Sequence, residues 1–118
     1  MNIKKLLLNT LNNPKILNLV PDKRVYFLHA NNPIPPYIEY QVILEDDIEY
    51  SEGKAQFTNY IVQVDIFSRG DYTELEEIIK KVMLEAGFEK NSSCPDLYEE
   101  KTKLNHKPIR FNIDLPTS

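Results

Sequence analysis

Two runs of alternating residues constrain this chain most. In the first, Ile38, Tyr40, Val42 and Leu44 fall on one side of an extended backbone and Tyr37, Glu39 and Gln41 on the other, the period of a half-buried β-strand. In the second, Phe57 to Phe67, the residues Tyr60, Val62, Val64 and Ile66 alternate with Ile61, Gln63, Asp65 and Phe67. Its second face is therefore partly apolar, and cover on both sides is expected. Pro33, Pro35 and Pro36 precede the first run. Proline fixes its own φ and biases the residue before it toward extended geometry, so Ile34 and Pro35 enter the strand already straightened.

Between the two runs lies EDDIEYSEGKAQ, residues 45 to 56, where Glu45, Asp46, Asp47, Glu49 and Glu52 surround a single glycine. An extended, mobile hairpin loop is expected, either a solvated turn or a contact surface. After the second run comes the best-marked helix. Asp71 is placed as its N-cap with Glu74 completing a capping box, and Tyr72, Leu75, Ile78, Ile79, Val82, Met83 and Ala86 form its apolar stripe. Gly87 supplies a left-handed C-terminal residue, and Phe88 can fold back onto the last turn. Upstream, Ile3, Leu6, Leu7 and Leu11 predict a helix over residues 2 to 12. Asn13-Pro14 closes it and starts a second helical piece up to Pro21. Residues 24 to 30 predict a short strand. EKNSSCP, residues 89 to 95, reads as a loop, and residues 97 to 102 and 109 to 114 as a closing hairpin with its turn near Asn105 to Pro108. The expected fold is α+β: one domain over 1–118, a mainly antiparallel sheet of about five strands, an N-terminal helix, and one long helix packed on the sheet.

Composition agrees with a folded chain: 42% hydrophobic and 27% charged residues among 118, outside the range of disordered sequences. The formal net charge of -4 argues against a domain that grips nucleic acid through phosphate neutralisation. At the start, the apolar stretch Leu6 to Leu8 is too short for a signal peptide. No window reaches the roughly 20 apolar residues of a membrane span, so no membrane association is expected. Cys94 is the single cysteine, which excludes an internal disulfide and a multi-cysteine zinc site and fits a reducing compartment such as cytoplasm.

No cluster has the spacing of a catalytic, cofactor-binding or metal centre, so none of these sites is assigned. His29 at a strand end and His106 in a turn have no H-x-x-x-H relation, and nothing marks a base or a lowered pKa for Cys94. The adjacent carboxylates Asp46/Asp47 and Glu99/Glu100 point to opposite faces if extended and form no dyad by adjacency. No glycine pattern for cradling phosphate occurs. Arg69-Gly70-Asp71 reads as a strand-to-helix turn rather than an integrin motif. Asp65 lies inside an apolar stretch. With Ile61, Gln63 and Phe67 it marks a face expected to be partly open in the monomer and to meet another subunit.

In order along the chain, PYIEYQ, YIVQVDIFSRGDYTELEEIIKKVMLEAGF and YEEKTKLNHKPIRFNID resemble the tail completion proteins of long-tailed bacteriophages and prophages, also described as tail terminator or tail-to-head joining proteins. The resemblance runs through nearly the whole chain: an N-terminal helix, a Pro-Tyr strand entrance, a VDIFS strand, a Tyr-x-x-Leu helix ending in Gly-Phe, and an Arg-Phe closing strand. It implies a non-enzymatic virion assembly protein without cofactors. Such a protein forms a homo-oligomeric ring, commonly a hexamer, that caps the tail tube, ends its polymerisation and joins tail to head. The implied partners are further copies of itself, the tail tube protein and the head-tail connector protein, and DNA passes through without specific binding. Its place would be the host bacterial cytoplasm during assembly and then the tail or neck of the virion. The segment holding Glu45, Asp46, Asp47, Glu49 and Glu52 would line the ring opening or contact a partner. The alternatives are another neck (head completion) protein, a small prophage-encoded metal-dependent enzyme or nuclease, and a regulatory binding module.

Overall fold

A computed structural model describes residues 2–51, 54–92 and 94–117, with the backbone alone at 49–51, 54 and 55. Helix α1 spans Ile3–Leu11 and α2 Pro14–Leu17; strands β1 (Tyr26–Phe27), β2 (Tyr37–Ser51) and β3 (Lys54–Ser68) follow. Helix α3 is Thr73–Glu85, and β4 (Glu89–Lys90), β5 (Leu97–Glu99) and β6 (Leu104–Pro116) complete the chain. The fold is α+β. Its mixed six-stranded sheet runs β1-β2-β3-β6-β4, with β5 also on β6. β1 lies parallel to β2 and every other pair is antiparallel.

The helix ends form as their residues dictate. Asn2 caps α1, its Oδ1 accepting from the Lys4 and Lys5 amides at 2.9 and 3.2 Å. Asn13 caps α2 through the Lys15 amide at 2.9 Å, with Pro14 in the first turn, where its missing N–H costs no helical bond. At the far end of α3, Gly87 takes φ 102°. The Phe88 amide then donates to the Met83 carbonyl and the Gly87 amide to that of Leu84, both at 3.1 Å, which is the Schellman pairing. It turns Phe88 into the core at 1% exposure. The start of α3 differs from expectation. Tyr72 is the cap residue, without a side-chain capping bond, while Asp71 accepts from the Thr73 amide (3.0 Å) and hydroxyl (2.6 Å). Glu74 makes no side-chain hydrogen bond among the described residues, so the Asx turn one residue upstream replaces the expected capping box.

The main core lies between the helices and the inner sheet face, where Leu7, Leu11, Ile16, Ile79 and Met83 meet Ile38, Val62, Val64, Ile66 and Phe111. A smaller cluster, Ala30, Tyr37, Phe67 and Leu104, covers the opposite face at the β2 entrance, where the Pro35-Pro36 peptide is cis. Each large apolar side chain buried in these clusters contributes about 2 kcal/mol relative to exposure.

Four expectations need correction. The acidic segment is strand for most of its length: Glu45, Asp46, Asp47 and Glu49 belong to β2, paired to Tyr60, Asn59, Thr58 and Ala55. Glu52 lies outside the described residues. The register skips one residue between Val42 and Leu44. This bulge reverses the alternation and turns Leu44 out of the core to 45% exposure. The closing hairpin reverses at 100–103, not at Asn105 to Pro108. Lys103 adopts φ 60° and its amide donates to the Glu99 carbonyl at 2.8 Å, so this tight reversal contains neither Gly nor Pro. Finally, Glu89–Lys90, expected in a loop, pair with Asn112 and Phe111 of β6.

Beyond Val42, β2, β3 and β6 run on together as far as Ile48, Phe57 and Pro116, and residues 43–47 are exposed. The molecule measures 52 × 28 × 24 Å. A 15-residue strand at about 3.3 Å per residue accounts for the long axis.

Candidate functional site

The densest polar constellation sits on the outer face of the sheet, on β3 and β6. Alternation places Gln63, Asp65 and Phe67 together, and the register sets them opposite Arg110, Pro108 and His106. Pro108 fits within β6 because it falls between the stretch paired to β5 and the stretch paired to β4, where no strand requires its missing N–H on that edge.

Asp65 is buried at 4% exposure. Its Oδ1 lies 2.7 Å from His106 Nε2, and Gln63 Nε2 donates to both carboxylate oxygens at 2.9 and 3.2 Å. Arg110 Nε donates to Gln63 Oε1 at 2.8 Å. The His106 ring stacks on Phe67 at 4.2 Å, and Phe67 stacks on Tyr37 at 4.8 Å. A buried carboxylate is tolerated because donors surround it. On the face expected to be partly open in the monomer, Asp65 is covered by these donors and Phe67 is 6% exposed. Ile61 and Gln63 are half-buried.

Beside this network, Gln63, Cys94, Pro95, Leu97, His106 and Arg110 line a groove of about 360 Å³. Its outer wall, residues 94–96, is held at two points. Lys107 Nζ donates to the Cys94 carbonyl at 2.7 Å and lies 3.6 Å from Asp96, and the Tyr72 hydroxyl donates to Asp96. The arrangement resembles a nucleophile-base-acid set in composition but not in wiring. A catalytic imidazole needs one nitrogen on its orienting acid and the other toward the nucleophile. Here Nε2 faces Asp65, and Nδ1 faces Glu99 at 3.9 Å. Cys94 Sγ lies 3.9 Å from the Ser92 carbonyl. Among the described residues, no three His, Cys, Asp or Glu side chains converge as a metal-binding group. Among the described residues, no helix is long and apolar enough to cross a membrane.

The acidic candidates lie elsewhere, on the distal part of β2. Asp47 Oδ1 accepts from the Thr58 hydroxyl at 2.9 Å, and Thr58 meets Thr117 at 3.0 Å. Glu45 and Asp46 are exposed and have no side-chain partner among the described residues. His29 is exposed beyond β1. His106 and Arg110 are the residues that sequence reasoning missed. The signal was present: His106-x-Pro108-x-Arg110 has the same period of two as Gln63-x-Asp65-x-Phe67. Reading Asn105 to Pro108 as a turn concealed it.

Two tyrosines carry a pH consequence. The Tyr37 phenol is pushed up to about 12 by burial, then by the Glu39 and Glu99 charges. Tyr72 is pushed up to about 12 by burial, then by its hydrogen bond to Asp96 and nearby carboxylate charge. Both start from an ordinary value of 10.0. The folded chain therefore holds these protons more tightly than the unfolded chain. Their stabilisation is complete below pH 10 and is lost as pH rises toward 12. Thermal midpoints are expected to fall across that window, and Tyr37→Phe with Tyr72→Phe should remove much of the slope. An unchanged slope in the double variant would reject this assignment. No protein-family model matches the sequence, and no curated protein matches it either.

Proposed function

We propose that this protein is a non-enzymatic assembly component of a phage or prophage tail. It forms a homo-oligomeric ring that caps the tail tube, stops tube growth and joins the tail to the head-tail connector, with DNA passing through without specific binding. The observation that carries the reading is the ordered resemblance of the Pro-Tyr entrance, the VDIFS strand, the Gly-Phe helix end and the Arg-Phe strand to tail completion proteins. Supporting it, these segments all contribute to one sheet-and-helix unit built on the long β2–β3 hairpin with β6 beside β3. β1 covers β2 only at Glu39 and Tyr40, so the edge from Gln41 onward has no strand partner among the described residues. A ring requires one patch to meet a different patch on the next copy, and an unpaired edge is a ready surface for such a contact. The His106 wiring also suits a structural role better than acid-base chemistry.

Electron microscopy of the purified protein mixed with tail tubes tests the proposal. Rings at tube ends and arrested tube growth are expected. A chain that neither binds tube ends nor alters tube length would overturn it. Metal-dependent cleavage of nucleic acid by the same preparation would favour the enzyme alternative.

A further inference from the structure

Charge is segregated along the chain. Residues 1–30 contain Lys4, Lys5, Lys15, Lys23 and Arg24 against the single carboxylate Asp22. Residues 37–52 contain Glu39, Glu45, Asp46, Asp47, Glu49 and Glu52 and no cation. Glu39 stands beside the N-terminal segment, its carboxylate accepting from the Ala30 amide at 2.9 Å, and β2 carries Glu45, Asp46 and Asp47 farther along beyond the β1 pairing. The N-terminal segment packs on α3 and the first part of β2, whereas residues 45–49 lie on the distal part of β2. Lys4, Lys5, Lys15, Lys23 and Arg24 are all exposed, and none forms an ion pair among the described residues.

Apolar exposure has the same two locations. On the hairpin, the bulge leaves Ile43 at 39% and Leu44 at 45% exposure beside the acidic positions. At β1, Phe27 is 39% and Leu28 56% exposed. Lys4 Nζ stands 5.1 Å from the Phe27 ring and the Arg24 guanidinium 4.6 Å from the Tyr26 ring, so cations frame this patch. Leu28 holds φ 64°, with its amide donating to the Tyr40 carbonyl at 2.9 Å. A bulky residue seldom adopts that backbone region, and here the conformation displays an apolar side chain to solvent.

We propose that the acidic, unpaired distal edge of β2 in one copy docks against the basic β1 and α1 surface of the next. The partner is thus a second copy of this chain. Glu45, Asp46 and Asp47 meet Lys4, Lys23 and Arg24, while Ile43 and Leu44 cover Phe27 and Leu28. The contact joins two different patches, as a ring needs, and its opposite charges set orientation and register. This inference rests on the ring reading above and specifies its interface.

Charge reversal tests it through sedimentation of the full chain and electron microscopy on tail tubes, at low and high salt. Glu45→Lys/Asp46→Lys/Asp47→Lys and, separately, Lys4→Glu/Lys23→Glu/Arg24→Glu should each weaken self-association by on the order of a hundredfold. The chain carrying all six substitutions should recover most of that loss, since every contact again joins opposite charges. Salt should weaken the wild-type association. Circular dichroism establishes that each variant is folded, and recovery in the six-substituted chain cannot come from a misfolded protein. If both triple variants assemble like the wild type, this interface is wrong while the ring reading stands. A DNA-passage defect in the acidic triple variant alone would then place those residues at the ring opening. A six-substituted chain as weak as the triples would also overturn the interface. A wild-type chain that never associates, in solution or on tubes, overturns both readings.

Discussion

Phe111→Ala is expected to destabilise the fold by about 4 kcal/mol, whereas Leu44→Ala is expected to change it by no more than about 0.5 kcal/mol. Phe111 is fully buried in the middle of β6, opposite Val62 and between β3 and β4. Truncation removes its transfer energy and leaves a cavity that flanking strands on both sides cannot close. A domain of this size has about 5–15 kcal/mol of total stability, so the variant should unfold at much lower denaturant. Leu44 continues the alternation of Ile38, Tyr40 and Val42 in the sequence, and strict alternation would make it a core residue costing about 2–5 kcal/mol on truncation. The bulge after Val42 turns it to solvent instead. Urea unfolding of the two variants separates these cases. A loss at Leu44 comparable to that at Phe111 would contradict the bulged register.

That bulge marks the boundary between what the residues announce and what only the assembled sheet decides. Alternation located the body of β2 and β3, and local chemistry located the helix ends. Asn2, Asn13 and Gly87 act within a few residues of themselves, so their signals survive in one dimension. The bulge carries no such signal. It arises where two long strands must accommodate twist, and no Gly or Pro marks Val42 to Leu44. The same holds for the extension of β2 through Glu45, Asp46 and Asp47. Charge and poor strand propensity argue for a loop, but β3 offers a continuous partner, and cross-strand bonding overrides propensity.

The closing hairpin was misplaced for a related reason. Asn105 to Pro108 has the composition of a turn, yet Pro108 lies where the edge of β6 away from β3 carries no strand partner among the described residues and therefore costs no hydrogen bond. Meanwhile Glu100 to Lys103 reverses the chain through a left-handed lysine, which composition does not reveal. Moving that turn hid the site. Once β6 begins at Leu104, His106 and Arg110 fall on the face that carries Asp65 and Gln63. The acidic edge and the basic N-terminal segment were legible as charge counts, but their separation on the molecule required the fold.

The second large effect is expected at Asp65. Asp65→Ala should cost about 3 kcal/mol, because His106 and Gln63 would lose their acceptor in a buried setting. Asp65→Asn keeps the shape but presents an amide where two donors converge, so it should recover only part of the loss. His106→Ala removes one donor and the ring that stacks on Phe67, so it is destabilising on its own. In the double variant Asp65→Ala/His106→Ala, the total should fall short of the sum by about 1–2 kcal/mol, the coupling typical of residues in direct contact. Losses that add within about 0.5 kcal/mol would show that the 2.7 Å contact contributes no cooperative stability. The consequence reaches the groove as well. Asp65 fixes the Gln63 amide, and Gln63 in turn receives Arg110, so loss of the carboxylate should free the guanidinium. NMR of the Arg110 side chain should then report faster motion in Asp65→Ala than in the wild type. Unchanged motion would separate Arg110 from the buried pair and reduce the network to two independent contacts.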